Sequence, residues 1–265
     1  MNVTLVKTAK LLFAASDLAR SRRPGPRILI YHQIGVDLGR QMEISESMFV
    51  QQLNWMDRHG TIVTLDKALT HRDSSSADQL FTLGFDDGYA DLFSIAFPIM
   101  LERQIPFTLY LTTAPVESRQ PLTPGGQAEP LDWDQINTML GSGLVTMGAH
   151  THGHVDLRGL PATQIEDELD TSNRLIEENT SVTARHFAYP KGYWSRDAEP
   201  LVRARYDSAV LGGGPPVTEN TDLFRLHRIP VQRSDGFFFF KRKLLTGMPV
   251  EEWVRRRIKG YVGPT

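Results

Sequence analysis

A chain of 265 residues with 40% hydrophobic residues is long enough to bury a sizeable core, and a single domain is the expected organisation. Its formal net charge of -2 supplies no positive field for capturing nucleic acid, so we expect no nucleic-acid partner. The absence of cysteine excludes disulfide bonds and thiolate ligands, so any metal must be bound by histidine and carboxylate side chains.

The N-terminal segment, residues 1–26, forms an extension before the first predicted strand. Its uninterrupted apolar run, residues 11–15, is shorter than the hydrophobic part of a secretory signal and far shorter than a membrane span. We therefore expect a cytoplasmic protein.

Short β-rich runs alternate with longer helical patterns after Pro26. This alternation predicts parallel crossover units, and their number indicates a sheet that is either doubly wound or closed into a barrel. The pattern alone leaves both architectures open. We predict strands over residues 27–34, 61–65, 80–85, 107–113, 144–150, 185–190 and 206–212, and helices over residues 47–60, 89–104, 132–143, 161–179 and 195–205.

Two adjacent carboxylates, Asp86 and Asp87, follow the predicted strand 80–85 and precede Gly88. Parallel α/β folds place their active sites at the carboxyl ends of their strands. Neighbouring side chains of a strand diverge, so the two aspartates need not share a role. The alternative is that one of them caps the following helix while Gly88 makes the turn.

Three of the eight histidines, His150, His152 and His154, fall within five positions at the end of another predicted strand. If the chain turns helically after His150, then His150 and His154 lie one turn apart on one face, a spacing suited to a metal ion. His152 would point elsewhere. A single such histidine is more often a surface or hydrogen-bonded residue, but the cluster favours metal binding.

Two imidazoles and one carboxylate would leave positions open for water and substrate, as catalytic zinc sites do. One aspartate would be the third ligand, and the other would be free to accept a proton from a water molecule. We predict Zn²⁺ as the metal, while Co²⁺, Ni²⁺ and Fe²⁺ accept the same donor set.

These residues resemble the motifs of the polysaccharide deacetylases, the family-4 carbohydrate esterases that share the NodB homology domain. "GFDDG" (84–88) is similar to the family's T-F-D-D-G, and "HTHGH" (150–154) fits H-[ST]-x-x-H. "FAYPKG" (187–192) is a form of the third motif. The likeness extends from residue 27 to about residue 231, and the first two motifs carry most of it.

The resemblance implies an α/β fold, a distorted (β/α)₇ barrel, and metal-dependent removal of acetyl groups from N-acetylated sugars of a polysaccharide or glycan precursor. It gives Asp86 the role of catalytic base, and it makes Asp87, His150 and His154 the metal ligands. It also implies that a backbone N–H near Tyr189, beside Pro190 on the substrate side of the third motif, helps to hold the tetrahedral oxyanion.

Two features of the family are missing. Ala188 takes the place of the arginine that orients the base, so that Lys191 or Arg185 would have to substitute. The Asp-Trp motif that tunes the general acid has no clear counterpart. His227 is the best candidate for the acid, because the family uses a late histidine after an apolar strand. The alternative is that His227 is a histidine on an ordinary edge strand.

Three further residues are candidates for substrate contacts. Tyr193 and Trp194, beside the third motif, are predicted to stack on sugar rings, whereas a core position explains Trp133 better. His32 is similar to the first-strand histidine common in this subgroup, and it either lines the pocket floor or is a satisfied core histidine.

The C-terminal extension, residues 236–265, follows the domain at residues 27–235 and joins four phenylalanines to two basic clusters. Apolar anchors beside basic residues favour anionic headgroups, so peripheral membrane contact is one hypothesis. A buried strand followed by a solvated helix face is the alternative, and we favour it.

The sequence thus predicts a metal-dependent N-deacetylase that acts on an N-acetylated glycan. An O-acetyl esterase or a small-amide hydrolase on the same scaffold is the second interpretation, because metal-activated water attacks either bond. A non-catalytic carbohydrate-binding relative is the third. Such a module would have no use for an unliganded carboxylate beside three metal ligands.

Overall fold

The computed structural model describes residues 25–36, 38–72, 79–122, 128–213 and 217–246, which contain ten β-strands and eight α-helices. The strands are β1 (Arg27–Tyr31), β2 (Gln33–Ile34), β3 (Glu43–Ile44), β4 (Gly60–Ile62), β5 (Gln79–Asp87), β6 (Phe107–Leu111), β7 (Val145–Ala149), β8 (His186–Ala188), β9 (Ser208–Gly212) and β10 (Leu226–Pro230). The α-helices are α1 (Glu46–His59), α2 (Leu65–Thr70), α3 (Phe97–Glu102), α4 (Thr113–Ser118), α5 (Trp133–Gly141), α6 (Ala162–Thr180), α7 (Glu199–Arg203) and α8 (Gly236–Thr246). A π-helical turn (Leu92–Ala96) precedes α3, and 3₁₀ turns lie at Pro190–Gly192 and Arg233–Asp235.

Seven of the strands form a closed parallel barrel. Neighbours run in the order β1-β10-β9-β8-β7-β6-β5, and the barrel closes because β5 also pairs with β1. β4 pairs with the first residues of β5, and β2 and β3 form a separate two-stranded sheet. The barrel is the fold that the family resemblance implies, and it settles the choice between an open and a closed sheet.

The barrel strands separate two apolar layers. On β5, Phe81, Leu83 and Phe85 belong to the main core that the helices cover. The alternate residues, including Asp86, therefore face the barrel interior. The inner layer consists of Ile28, Tyr110, Ala188, Val210 and Leu226, with Leu65 of α2 packed against it.

Side-chain caps fix the starts of the helices that follow several strands. The Ser45 hydroxyl accepts the Met48 N–H at the start of α1. At α5, Asp132 and Gln135 form a reciprocal capping box with distances of 2.8 and 3.1 Å. Such caps satisfy amides that have no partner within the helix, so the local sequence itself determines these boundaries.

Most of the predicted elements are present with boundary shifts of a few residues. The predicted helix over residues 89–104 is divided between the π-helical turn and α3. The short helices α2 and α4 and the strands β3 and β10 were not predicted. Part of the predicted extension, residues 236–246, is helix α8 and not a strand, so the favoured interpretation was wrong on this point.

Helix α8 packs against α1 through part of its phenylalanine run. Phe239 and Phe240 are buried, whereas Phe238 is 52% exposed. Phe240 contacts Trp55 of α1 with ring centroids 6.2 Å apart. Among the described residues, no helix is both long enough and apolar enough to cross a bilayer. The rest of the predicted membrane-contact segment, residues 247–265, lies outside the described residues, and peripheral membrane contact stays a prediction.

Candidate metal and catalytic site

The two aspartates leave β5 in different directions. Asp86 lies on the inner face, whereas Asp87 has a positive φ of 74°. A non-glycine residue in this region costs about 1–3 kcal/mol, and such strain persists only where the surrounding structure enforces it. Gly88 follows with a φ of 85°, and a Cβ there would lie 2.5 Å from Leu111 Cδ1. The sequence D-D-G therefore builds a sharp strand end that separates two adjacent carboxylates.

His150 follows β7 and is held by a backbone acceptor. Its Nδ1 donates to the carbonyl of Ala188 at 2.6 Å. This bond fixes the tautomer and leaves Nε2 as the lone-pair donor, the arrangement typical of metal-binding histidines. Nε2 lies 3.6 Å from both Asp86 Oδ2 and Asp87 Oδ1, so His150 stands between the two carboxylates.

His154 completes a compact donor group. Its Nε2 lies 3.5 Å from Asp87 Oδ1, and its ring centroid is 4.9 Å from that of His150. One ligand atom each from Asp87, His150 and His154 lies within 4.8 Å of the other two. The structure thus brings together the three ligands that the resemblance implies.

The donor group fits a metal ion by its own chemistry. Asp87 Oδ1 is buried and has no hydrogen-bond partner. An unpaired buried acceptor costs about 1–3 kcal/mol, so a chain rarely keeps one without a use. A divalent ion between this oxygen and the two imidazole nitrogens would satisfy all three atoms at once.

The buried surroundings set the protonation of the ligands. Burial raises the pKa of Asp87 to about 6, and the charge of Asp86 adds to this effect while that of His32 opposes it. Burial lowers the pKa of His150 to about 3 against the attraction of Asp86, and it lowers the pKa of His154 as well. Both histidines are therefore neutral at pH 7 and ready to coordinate.

Arg228 of β10 is a functional residue that the sequence analysis missed. Its Nη1 and Nη2 donate to Asp86 Oδ1 and Oδ2 at 2.6 and 2.8 Å, and its Nε donates to the carbonyl of Leu211. Burial alone would raise the pKa of Asp86, but the charge and hydrogen bonds of Arg228, together with smaller contributions from His150 and His32, lower it to about 2. Arg228 therefore occupies the orienting role that sequence analysis sought at Lys191 or Arg185. Arg185 instead pairs with Asp66 and Asp207.

The structure does not bring His227 to this group. His227 pairs in register with Leu211, a residue of the outer core, whereas its neighbour Arg228 pairs with Gly212. Adjacent residues of a strand face opposite sides, so His227 faces away from the barrel interior that holds Asp86. The prediction of His227 as the general acid has no support from this geometry. The sequence does contain a signal for Arg228: it alternates with Leu226 and Pro230, so it is a charged residue on an otherwise apolar face of the strand.

His32 lies beside the site, immediately after β1. It lies near enough to Asp86 and Asp87 to contribute to the electrostatics of both carboxylates. The ring is partly buried, and its Nδ1 has no hydrogen-bond partner. The unpaired Nδ1 argues against a satisfied core histidine, and the position of His32 at the pocket floor stays a prediction.

Three backbone amides in and beside the third motif donate hydrogen bonds within the protein. The N–H of Tyr189 donates to the carbonyl of Val210, and those of Gly192 and Tyr193 donate within the 3₁₀ turn that begins at Pro190. These three amides are used in hydrogen bonds within the protein, and an oxyanion contact from a backbone N–H near Tyr189 stays a prediction. The Tyr189 hydroxyl is buried without a hydrogen-bond partner.

The two aromatic residues beside the third motif each stack with an arginine. The Arg158 guanidinium lies 3.8 Å from the ring centroid of Tyr193, and that of Arg225 lies 4.8 Å from Trp194. Trp194 also packs against the main core and donates to Glu199. One face of each ring is therefore already covered, which leaves at most the other face for a sugar.

Comparison with known proteins identifies the family of the chain. A family model described as polysaccharide deacetylase matches residues 73–206, just over half of the 265 residues. The chain belongs to the polysaccharide deacetylase family. The match spans Asp86, Asp87, His150 and His154, the residues that the structure groups at the barrel mouth.

Several relatives support this assignment at low identity. The chain is 22% identical over 208 residues to YxkH of Bacillus subtilis, whose name also refers to polysaccharide deacetylases, and it spans 70% of that protein. It is 23% identical over 175 residues to a poly-β-1,6-N-acetyl-D-glucosamine N-deacetylase of Staphylococcus aureus, and it spans 59% of that protein.

Solved structures share the fold. IcaB from Ammonifex degensii superposes with a TM-score of 0.73 at 23% identity, over 84% of this chain and 98% of IcaB. The Streptococcus pyogenes deacetylase PplD gives a TM-score of 0.70 at 20% identity, over 84% of this chain and 99% of PplD. These similarities establish the barrel and leave the activity to be argued from the site.

Proposed function

We propose that this protein removes acetyl groups from N-acetylated sugars of a polysaccharide, using a divalent metal held by Asp87, His150 and His154. Membership of the polysaccharide deacetylase family supports this reaction class. The name of the Staphylococcus aureus relative suggests β-1,6-linked N-acetylglucosamine as the first polymer to test.

The observation that carries the proposal is the unpaired Asp87 Oδ1 facing two imidazole nitrogens at 3.5 and 3.6 Å. When bound there, a divalent ion would polarise the acetyl carbonyl and lower the pKa of a water molecule toward about 7. The adjacent carboxylate, Asp86, accepts two hydrogen bonds from Arg228, and its Oδ2 also lies 3.6 Å from His150 Nε2. Asp86 is thus placed to act on a proton beside the ligand group without being a ligand.

Arg228 keeps Asp86 ionised and fixes its direction. The pKa of Asp86 is about 2, so the carboxylate is charged across the range in which the enzyme would work. The bidentate contact leaves the two oxygens in a fixed orientation from which Asp86 accepts the proton of the attacking water. A carboxylate that turned freely would be less effective, because proton transfer depends on geometry first.

The leaving amine needs a proton, and His32 is better placed than His227 to deliver it. His32 directly follows β1, which pairs with β5, and its Nδ1 is buried without a hydrogen-bond partner. His227 faces the outer layer of the barrel. We therefore assign proton delivery to His32.

A substrate panel tests the proposal. The purified chain, loaded with Zn²⁺ or Co²⁺, is incubated with β-1,6- and β-1,4-linked N-acetylglucosamine oligomers and with an O-acetylated xylan. We expect acetate and free amines in equal amounts from at least one N-acetylated oligomer. Asp86→Asn is the matched control, because it keeps all three metal ligands and removes the proton acceptor.

Two results would contradict the proposal. Acetate release from the xylan without amine release from the oligomers would favour the O-acetyl esterase. Metal-loaded protein that binds the oligomers and releases nothing would favour the carbohydrate-binding relative.

A further inference from the structure

The segment that joins the two histidine ligands is a strained turn. Thr151 and His154 have positive φ values of 63° and 54°. Each such residue costs about 1–3 kcal/mol, so these residues would not adopt the turn by their own preference. Contacts from outside the segment must hold it.

Helix α6 holds the turn from one side through a single residue. The Glu168 carboxylate accepts the N–H of Gly153 at 2.7 Å, and the Glu168 carbonyl accepts the N–H of His152 at 3.2 Å. The carboxylate lies against the glycine, because a Cβ on Gly153 would be 3.1 Å from Glu168 Oε1. Two successive amides between the ligands thus donate to one residue, 15 positions along the chain from Gly153.

Helix α4 holds the turn from the other side through His152. The N–H of Ala114 donates to the His152 carbonyl at 2.9 Å, and His152 Nδ1 lies 2.9 Å from the Thr113 hydroxyl. His152 therefore points away from the metal ligands, as its position between them predicts. The middle histidine is a tether and not a ligand.

We propose that Glu168 and His152 are positioning residues that set the metal affinity of the site by clamping the His150–His154 turn between α4 and α6. The inference rests on the proposed function only in taking Asp87, His150 and His154 as the metal ligands. Without the clamp the turn relaxes, and binding must supply the free energy to rebuild it. Loss of such outer contacts lowers metal affinity about 10- to 100-fold in other metal sites.

The test is a Zn²⁺ titration against a chelator of known affinity, with the visible spectrum of the Co²⁺-loaded protein as a second readout. Glu168→Ala removes the carboxylate that accepts the Gly153 N–H and keeps the main-chain carbonyl that accepts the His152 N–H. We expect the apparent Kd for Zn²⁺ to rise about 10- to 100-fold. Glu168→Gln keeps an oxygen acceptor at the same position and should restore most of the affinity. Thr113→Val removes the hydroxyl partner of His152 and should raise the Kd by a smaller factor.

Asp167→Asn is the matched control, because Asp167 is the exposed neighbour of Glu168 on the same helix and loses the same charge. Affinity equal to wild type in this variant, with weak binding in Glu168→Ala, would support the clamp. A folded Glu168→Ala protein with wild-type Kd and Co²⁺ spectrum would overturn it, as would equal losses in Glu168→Ala and Asp167→Asn. If Glu168→Ala does not fold, Thr113→Val with wild-type affinity would overturn the role of His152 and with it the clamp. A wild-type protein that binds no metal would overturn the proposed function together with this inference.

Discussion

Both ends of the barrel carry ionisable side chains, but these side chains are buried at one end and exposed in ion pairs at the other. At the carboxyl ends of the strands, Asp86, Asp87 and His150 are 2%, 6% and 1% exposed. At the opposite end, Arg185 pairs with Asp66 and Asp207 at 2.7 and 2.8 Å, and the side chains of all three are 40–58% exposed. One group of charges is buried inside the barrel, and the other lies at its surface.

The difference separates a functional cluster from a structural one. Exposed ion pairs contribute about 0.2–1 kcal/mol and cost little to form. Buried charges cost several kcal/mol unless they are paired, and the mouth of the barrel adds a positive φ at Asp87 and an unpaired oxygen. Buried charges and strained backbone that destabilise the fold indicate that a ligand binds there. Exposed charges that are paired with each other and hydrated give no such indication.

The sharpest test of this comparison is to remove one buried histidine at each end. His150 and His186 are both buried; His150 directly follows β7 and His186 begins the neighbouring strand β8. Each uses Nδ1 in a hydrogen bond. We expect His150→Gln to lower Zn²⁺ affinity about 1,000-fold, roughly one ligand's share of a zinc site that contributes about 10–16 kcal/mol. His186→Gln should bind Zn²⁺ like wild type. Chelator competition measures both, and similar affinities in the two variants would remove the functional distinction between the ends.

The second test breaks the buried ion pair. Arg228→Met leaves the Asp86 carboxylate buried without its cation, and we expect a loss of about 3 kcal/mol in the free energy of unfolding. The pKa of Asp86 should rise from about 2, since burial is then opposed only by more distant charges. The acid limb of kcat/KM against pH should move to higher pH.

The control for that variant is the double change Asp86→Asn with Arg228→Met. It removes both charges, so it should be more stable than Arg228→Met alone when unfolding is measured in urea. A double variant that is less stable by the sum of the single losses would show that the ion pair is not the source of the effect.

Local motifs explain why the metal ligands could be predicted from the sequence. Asp87 is fixed by the strand end at Gly88, and His150 and His154 come together as predicted. The helical turn expected between them was wrong, because the segment is not helical and Thr151 and His154 have positive φ values. Each of these positions depends on a few neighbouring residues and on the rule that parallel strands end at the same edge. The barrel itself followed from the family resemblance, since the alternation of strands and helices allowed an open sheet as well.

Long-range contacts explain what the sequence did not show. Arg228 and Asp86 are 142 residues apart, and they meet only because β1 pairs with both β5 and β10 when the barrel closes. Helix α8 is a similar case. Phenylalanine favours strands, so the phenylalanine run did not indicate a helix. Two distant contacts hold α8: Arg27 Nε donates to the Leu244 carbonyl, and Phe240 packs on α1. No local pattern encodes these partners.

A third test uses the acidity of the metal ligands. With an apo pKa of about 6, raised by burial and by Asp86, Asp87 carries a proton below that pH, and binding must expel it. His150 has a pKa of about 3 and stays neutral throughout. Zn²⁺ affinity should therefore fall about tenfold per pH unit below pH 6 and change little from there to neutral pH. Calorimetry in buffers of different ionisation enthalpy counts the released protons, and two or more protons at pH 5 would mean that the histidines also titrate there.

The smallest expected effect lies at the opposite end of the barrel. Arg185→Met removes an exposed double ion pair, and we expect the free energy of unfolding to change by about 0.5–1 kcal/mol, with unchanged kcat/KM and Zn²⁺ affinity. Arg185 precedes the third motif by only two residues, which made it a candidate for orienting the base. A fall in kcat/KM as large as that of Arg228→Met would return Arg185 to that role. The Arg185 guanidinium donates to Asp66 and Asp207, whereas Asp86 is hydrogen-bonded to Arg228. The geometry therefore predicts that only the stability changes.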